Sequence, residues 1–131
     1  MEDRGLRDWF AEYLAAFAAL GRGESRPGDV VARYGVPLLL TTDDVVISLQ
    51  TVDEVEAWLQ TQADAMSAAG YASTKTLASD VSMLNRNTGL LFGKFSRQRT
   101  DGAEINQMSV SYLITRESET FRISALVLHT F

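Results

Sequence analysis

Asp43 and Asp44 stand side by side between two strand-like runs in PLLLTTDDVVISLQ, and they are the first residues that could do chemistry as a general acid and base. A carboxylate moves protons usefully only where an enclosed site tunes its ionisation. Neighbouring residues of a strand point to opposite faces, so in any register only one of the two could enter a cavity. The competing role is structural: TTDD reads equally as the polar turn of a hairpin, with Asp side chains bonded to their own backbone. His129 is the single histidine, and its neutral form could act as a base near pH 7. Alternation along FRISALVLHTF places it with Phe121, Ile123, Ala125 and Val127 on an apolar face, with Arg122, Ser124, Leu126, Leu128 and Thr130 on the other, which also suits a core or pocket-wall histidine without catalysis. Asp80, just before Val81 in a strand-like stretch, could face either way, and with Asp64 on the third helix it is the remaining carboxylate of interest. A buried carboxylate there would have a raised pKa and could serve as an acid. Tyr13 and Tyr112 add phenolic donors.

Many other chemistries find no equipment in the chain. It has no cysteine, so thiolate metal sites, disulfides and cysteine nucleophiles are excluded. Asp, Glu and one His at no recognisable ligand spacing offer no metal site. GRG at Gly21 to Gly23 follows a helix instead of opening one, so it is a helix stop and not a phosphate loop. No cofactor is therefore expected. The formal net charge is −5 and the cations are scattered, which argues against nucleic acid as a partner. The densest basic patch, KFSRQR at Lys94 to Arg99, fits a hairpin strand with one wet face. The start MEDRGLRDWF lacks the basic and apolar regions of a secretory signal, and no apolar run approaches the length of a membrane span. A cytoplasmic location without membrane contact is the expectation.

With 131 residues and 46% hydrophobic content, one domain over 1–131 is expected. Leu6, Trp9, Phe10, Tyr13, Leu14, Phe17 and Leu20 recur at helical spacing and predict a first helix ended by Gly21 and Gly23. RPGDVVARYG predicts a second, short helix with Pro27 in its first turn and Val30, Val31 and Tyr34 facing inward. PLLL and VVISLQ read as strands across TTDD. Thr51 and Glu54 form a capping box for a third helix, with Val52, Val55, Trp58, Leu59, Ala63 and Met66 as its buried stripe and Gly70 as its end. From there the chain reads as strands: one within Thr74 to Leu84, then GLLFGKFSRQR and INQMSVSYLITR across the Asp101-Gly102 hairpin, then FRISALVLHTF. Met108, Val110, Tyr112 and Ile114 share one face of their strand, and the sequence leaves open which face turns inward. Three helices before a strand meander make an α+β layout, and Gly89 and Gly93 are read as bends or close approaches in a sheet curling around the helices.

The aromatic first helix FAEYLAAFAAL with its glycine-rich exit, the short helix GDVVARYG leading into PLLL, and the helix entry LQTVDEVEAWL resemble the nuclear transport factor 2-like superfamily, in particular its SnoaL-like and ketosteroid isomerase-like branch, over about Leu6 to Phe131. The resemblance implies a cone-shaped curved sheet, antiparallel or mixed, packed against the three N-terminal helices and enclosing a conical pocket. In isomerase-like members a first-helix tyrosine, a carboxylate ending the first strand and a protonated acid on a later strand divide the work. Tyr13 matches the tyrosine. The base position falls near Leu40 or Thr41 and the acid position near Ser109 or Ser111, none of them a carboxylate. The expected function is therefore binding of a small apolar molecule by Trp9, Tyr13, Phe17, Trp58, Met108, Tyr112 and His129, against a competing role for these residues as plain core. Two alternatives stand beside it: an isomerase, cyclase or epoxide hydrolase working through His129 or an aspartate such as Asp43 or Asp80 with Tyr13 as donor, and a homodimer formed through the exposed sheet face.

Overall fold

The computed structural model describes residues 3–130; Phe131, expected to close the last strand, lies outside them. Helix α1 (Asp3–Gly21) is followed by α2 (Pro27–Val30), which passes through a single 3-10 turn (Val31–Arg33) into strand β1 (Tyr34–Thr41). Strand β2 (Val46–Leu49), helix α3 (Val52–Ala68) and strands β3 (Tyr71–Asn85), β4 (Thr88–Arg99), β5 (Glu104–Glu117) and β6 (Thr120–Leu128) complete the chain.

Local chemistry accounts for the element ends. Thr51 Oγ1 accepts from the Glu54 backbone N–H at 3.1 Å, and the Glu54 carboxylate accepts in return from the Thr51 N–H at 3.2 Å, so two of the donors orphaned at the start of α3 are satisfied. Thr51→Ala is expected to cost about 1 kcal/mol of stability, read as a fall in the urea midpoint at unchanged slope; an unchanged midpoint would show that Glu54 alone holds the cap. At the opposite end Gly70, at φ 76°, takes the left-handed conformation that ends the helix. Gly102, at φ 86°, does the same in the β4–β5 turn, where the Asp-Gly signal was read.

The six strands form one sheet in the order β2-β1-β6-β5-β4-β3. Strands β3 to β6 are the expected antiparallel meander, whereas β1 lies parallel to β6 and carries β2 as an antiparallel edge. The architecture is α+β with a mixed sheet and three helices, but the expected cone-shaped curved sheet is not found. The sheet is open, with β2 and β3 as its two unjoined edges. The glycines read as bends have another use: a Cβ on Gly89 would lie 2.6 Å from Leu6 Cδ2, and one on Gly93 would strike the Phe95 ring. Both serve close packing within the layers.

One sheet face and the helices share the core. Leu6, Phe10, Tyr13 and Leu20 of α1 and Val55, Leu59 and Ala63 of α3 bury against Leu91 and Phe95 of β4, Val110, Tyr112 and Ile114 of β5, and Ile123 and Leu126 of β6. The four-and-three spacing of the α1 residues is the stripe predicted by its period. The inner face of β5 is thus the Met108, Val110, Tyr112, Ile114 face.

The last strand does not keep the alternation read from its sequence. Ile114 pairs with Ile123 and Leu113 with Ala125, leaving Ser124 as an extra residue, a β-bulge. Before the bulge Phe121 and Ile123 face the helices; after it Leu126 and Leu128 do, and Ala125, Val127 and His129 pass to the outer face. Ser124 is held there by a 2.7 Å bond between its Oγ and Thr115 Oγ1.

Candidate functional site

Between α1, α3 and the inner sheet face lies a cavity of about 80 Å³. Helix α1 supplies Tyr13, Leu14 and Phe17; α3 supplies Trp58 and Gln62; the strands supply Thr74, Phe95, Arg97, Met108, Val110, Tyr112, Leu126 and Leu128. A single water needs roughly 10–15 Å³ of such space and pockets for drug-sized ligands run to roughly 300–1,000 Å³, so the cavity suits a compact molecule. Tyr13, Phe17, Trp58, Met108 and Tyr112, all read from the sequence as possible ligand contacts, meet around this one space. Trp9 does not: it packs against Phe121 at 5.6 Å and stacks on Tyr13 at 6.2 Å, one layer away from the cavity.

The polar residues of the wall are few: Tyr13 and Tyr112 are buried, and Gln62, Thr74 and Arg97 are partly buried. Tyr13 and Tyr34 share a 2.6 Å hydroxyl–hydroxyl bond inside the core. Tyr34 begins β1 and sets its ring edge-on to Trp58 at 5.7 Å. Burial raises the hydroxyl pKa of Tyr13, Tyr34 and Tyr112 well above the ordinary tyrosine value, since a phenolate would be desolvated there; the neighbouring tyrosines add to the shift, while the Tyr13 bond and the Arg97 charge oppose it at Tyr34 and at Tyr112 respectively. The fold therefore favours the protonated phenols. Their contribution to stability is complete below the unfolded tyrosine value of about 10 and is lost as pH rises through the higher folded values. Alkaline titration is expected to show the tyrosinate absorbance of Tyr13, Tyr34 and Tyr112 appearing in step with loss of structure; ionisation of these three in a still-folded protein near pH 10 would contradict it.

Arg97 is the charged residue of this wall, and it is not among the ligand contacts expected from the sequence. Its half-buried guanidinium lies 5.9 Å from the centre of the Phe17 ring, and desolvation pulls its pKa below the ordinary arginine value while the fields of Tyr71, Tyr112 and Tyr13 push the other way. Within KFSRQR the signal was present: Arg97 is two residues from Phe95, so strand alternation puts both on one face, and Phe95 is core. A strand with one wet face, as the patch reads, is compatible with this, but the local pattern does not say that the inward side of the strand borders a cavity.

The remaining candidates for catalysis lie elsewhere. His129 is exposed on the outer face, where its Nε2 is 2.6 Å from Ser111 Oγ and its ring meets Phe92 edge-on at 5.2 Å. Asp80 is exposed on the same face, opposite Phe92. Asp43 and Asp44 are exposed in the β1–β2 turn. That turn is closed by Thr42, whose hydroxyl accepts the backbone N–H groups of Asp44 and Val45, each at 3.2 Å, while the Asp43 carboxylate accepts from the Thr130 hydroxyl. TTDD is thus a turn, held by the threonine and not by aspartate bonding its own backbone. Asp64 is exposed on α3 and accepts from Gln60 at 2.8 Å. Among the described residues no group of three or more His, Asp or Glu could hold a metal ion, and no helix is long and apolar enough to cross a membrane.

A family model described as NTF2-like protein (DUF6841) matches residues 2–131. The chain belongs to this NTF2-like family. Solved structures place the DUF6841 chain in the wider group of NTF2-like and cystatin-like folds. An NTF-2-like protein of unknown function from Shewanella oneidensis is similar at a TM-score of 0.69 and 15% identity, covering 93% of this chain and 97% of the other. A domain of unknown function with a cystatin-like fold from Nostoc punctiforme is similar at 0.69 and 18% identity, covering 96% of this chain and 75% of the other. A Xanthomonas campestris protein assigned as a calcium/calmodulin-dependent protein kinase II association domain is similar at 0.70 and 14% identity, covering 100% and 89%. Identities this low establish the fold of the DUF6841 chain and no activity. None of the curated proteins matches it.

Proposed function

We propose that this NTF2-like protein binds a compact, largely apolar molecule in the cavity under α1 and α3. The observation that carries this reading is the cavity itself: a preformed space walled by Phe17, Trp58, Phe95, Met108 and Leu126, with only a few polar groups converging on it. Tyr13 on the first helix supports a place near the SnoaL-like, ketosteroid isomerase-like branch. The base position of that branch, near Leu40 or Thr41, carries no carboxylate, and Ser109 and Ser111 stand near its acid position. Proton transfer in the cavity thus has a donor and no base, which favours binding over isomerisation. A thermal-shift screen with compact apolar compounds, run beside Leu128→Trp, tests the reading. Leu128 stands at the rim, 38% exposed, and a tryptophan there would fill the space. The expected result is a stabilisation that the plugged variant loses; equal shifts in both proteins, or none in either, would overturn it.

A second reading concerns assembly. Leu39, Ala125, Leu113 and Leu90 are paired in register across β1, β6, β5 and β4, so they form one apolar row on the face away from the helices, flanked by Val127. Leu39, Leu90 and Val127 are 41%, 38% and 39% exposed. Such a contiguous row favours a homodimer through the outer sheet face. Light scattering at micromolar concentration is expected to give twice the chain mass, reduced to one by Val127→Glu; a monomeric wild type would remove this reading.

A further inference from the structure

Among the described residues Arg97 has no counter-ion. Its guanidinium makes no hydrogen bond or ion pair with any of them, whereas Arg22 pairs with Glu24 and Arg116 with Glu119. The groups whose fields reach it are the tyrosines Tyr71, Tyr112 and Tyr13, without a carboxylate among them. This happens in a chain with 17 acidic residues against 12 basic ones, where a partner for a structural arginine would be easy to supply. A cation drawn partly out of water without a partner is costly. The Tyr112 hydroxyl is a second free donor: the residue lines the same cavity, and no hydrogen bond joins its hydroxyl to another of the described residues, although it is not one of the fully buried unpartnered atoms.

We infer that the cavity takes a small organic carboxylate, its anionic group received by the Arg97 guanidinium with the Tyr112 hydroxyl as a second donor and its apolar body laid against Phe17, Trp58 and Leu126. Both groups donate, and among the described residues neither gives a hydrogen bond to the protein; Arg97 has only the Phe17 ring beside it. A carboxylate is the acceptor whose two oxygens match the planar guanidinium fork. The aromatic and aliphatic remainder of the wall calls for an apolar body, and the cavity volume limits that body to about one ring or a short branched chain. A long acidic lipid or a polyanion is disfavoured on the same grounds, because Arg97 is the cation of this wall and the space is short.

This inference rests on the proposed binding function, and the test separates the two. Phenylacetate and its uncharged isostere phenylacetamide are titrated into the full chain by calorimetry, each with wild type, Arg97→Gln and Arg97→Lys. The expected result is that wild type binds the carboxylate about tenfold or more tighter than the amide. Arg97→Gln should lose that preference while retaining the amide, and Arg97→Lys should restore part of it. Equal affinity for acid and amide in wild type overturns the carboxylate assignment and leaves the binding function standing. Absence of heat with either compound at millimolar concentration overturns both. The wild-type comparison needs no variant, so a substitution that fails to fold does not decide the outcome.

Discussion

Gly93→Val is expected to lower the thermal unfolding midpoint by about 10 °C or more, which for a domain of this size corresponds to a loss of roughly 3 kcal/mol. Gly93 lies on the inner face of β4, and the Phe95 ring folds back over its Cα, so that even a methyl group there would meet the ring. The ring is held by core neighbours on one side and borders the cavity on the other. Phe95 is 3% exposed and packs against Phe10 and Tyr112, with centroids 6.5 Å away in each case. A β-branched side chain must evict it or push the strand off the helices, and loss of a buried phenylalanine costs about 3–5 kcal/mol. Gly5→Ala is the control: nothing lies within 4 Å of a Cβ there, and alanine in the first turn of α1 should be neutral or stabilising. Calorimetric midpoints for the two variants differing by less than about 3 °C would show that Phe95 can repack.

Deleting Ser124 should be at least as damaging. The bulge is the device that turns Leu126 and Leu128 towards the cavity and His129 away from it. Without the extra residue the strand returns to simple alternation, and a shift of one residue exchanges the faces of everything beyond it. Leu126, 5% exposed in the fold, would turn to solvent at a cost of roughly 1.5–3 kcal/mol, and Val127 and His129 would be driven into the cavity. The deletion is therefore expected to be unfolded, or folded with the cavity closed, whereas Ser124→Ala keeps the bulge and loses about 1 kcal/mol with the Thr115 bond. Circular dichroism melts of the two proteins make the comparison. Similar midpoints would mean that the bulge relocates along β6 and does not set the faces.

These two glycine and serine positions show where reading the chain alone stops. Gly93 was recognised as a position needing special backbone or close approach, but curling of the sheet was the cause assigned to it, and the cause is a ring two residues further along the same strand. Ser124 sits in a run whose hydrophobic alternation looks unbroken from Phe121 to His129. A bulge is decided by what the partner strand offers, and β5 with its Leu113–Ile114 step lies outside any local window. His129 went to the wrong side for that reason alone. Arg97 is hidden for another reason: KFSRQR reads as a strand with one wet face, alternation puts Arg97 and Arg99 alike on the Phe95 side, and only the covering helices make a cavity wall of the first.

What the sequence by itself determined is local. The period of α1, the Thr51 and Glu54 cap, the Asp101-Gly102 turn, the meander of the last strands and the absence of cysteine all follow from interactions within a few residues, or from composition, and these are the terms that propensity and turn chemistry express. Tertiary structure decided that β1 runs parallel to β6, that the sheet stays open at β2 and β3, that Tyr13 finds Tyr34, and that Arg97 faces tyrosines instead of a carboxylate. Each of those depends on which segments, distant in sequence, come to cover one another. Burial and ionic partnership are properties of that covering, and no residue carries them alone.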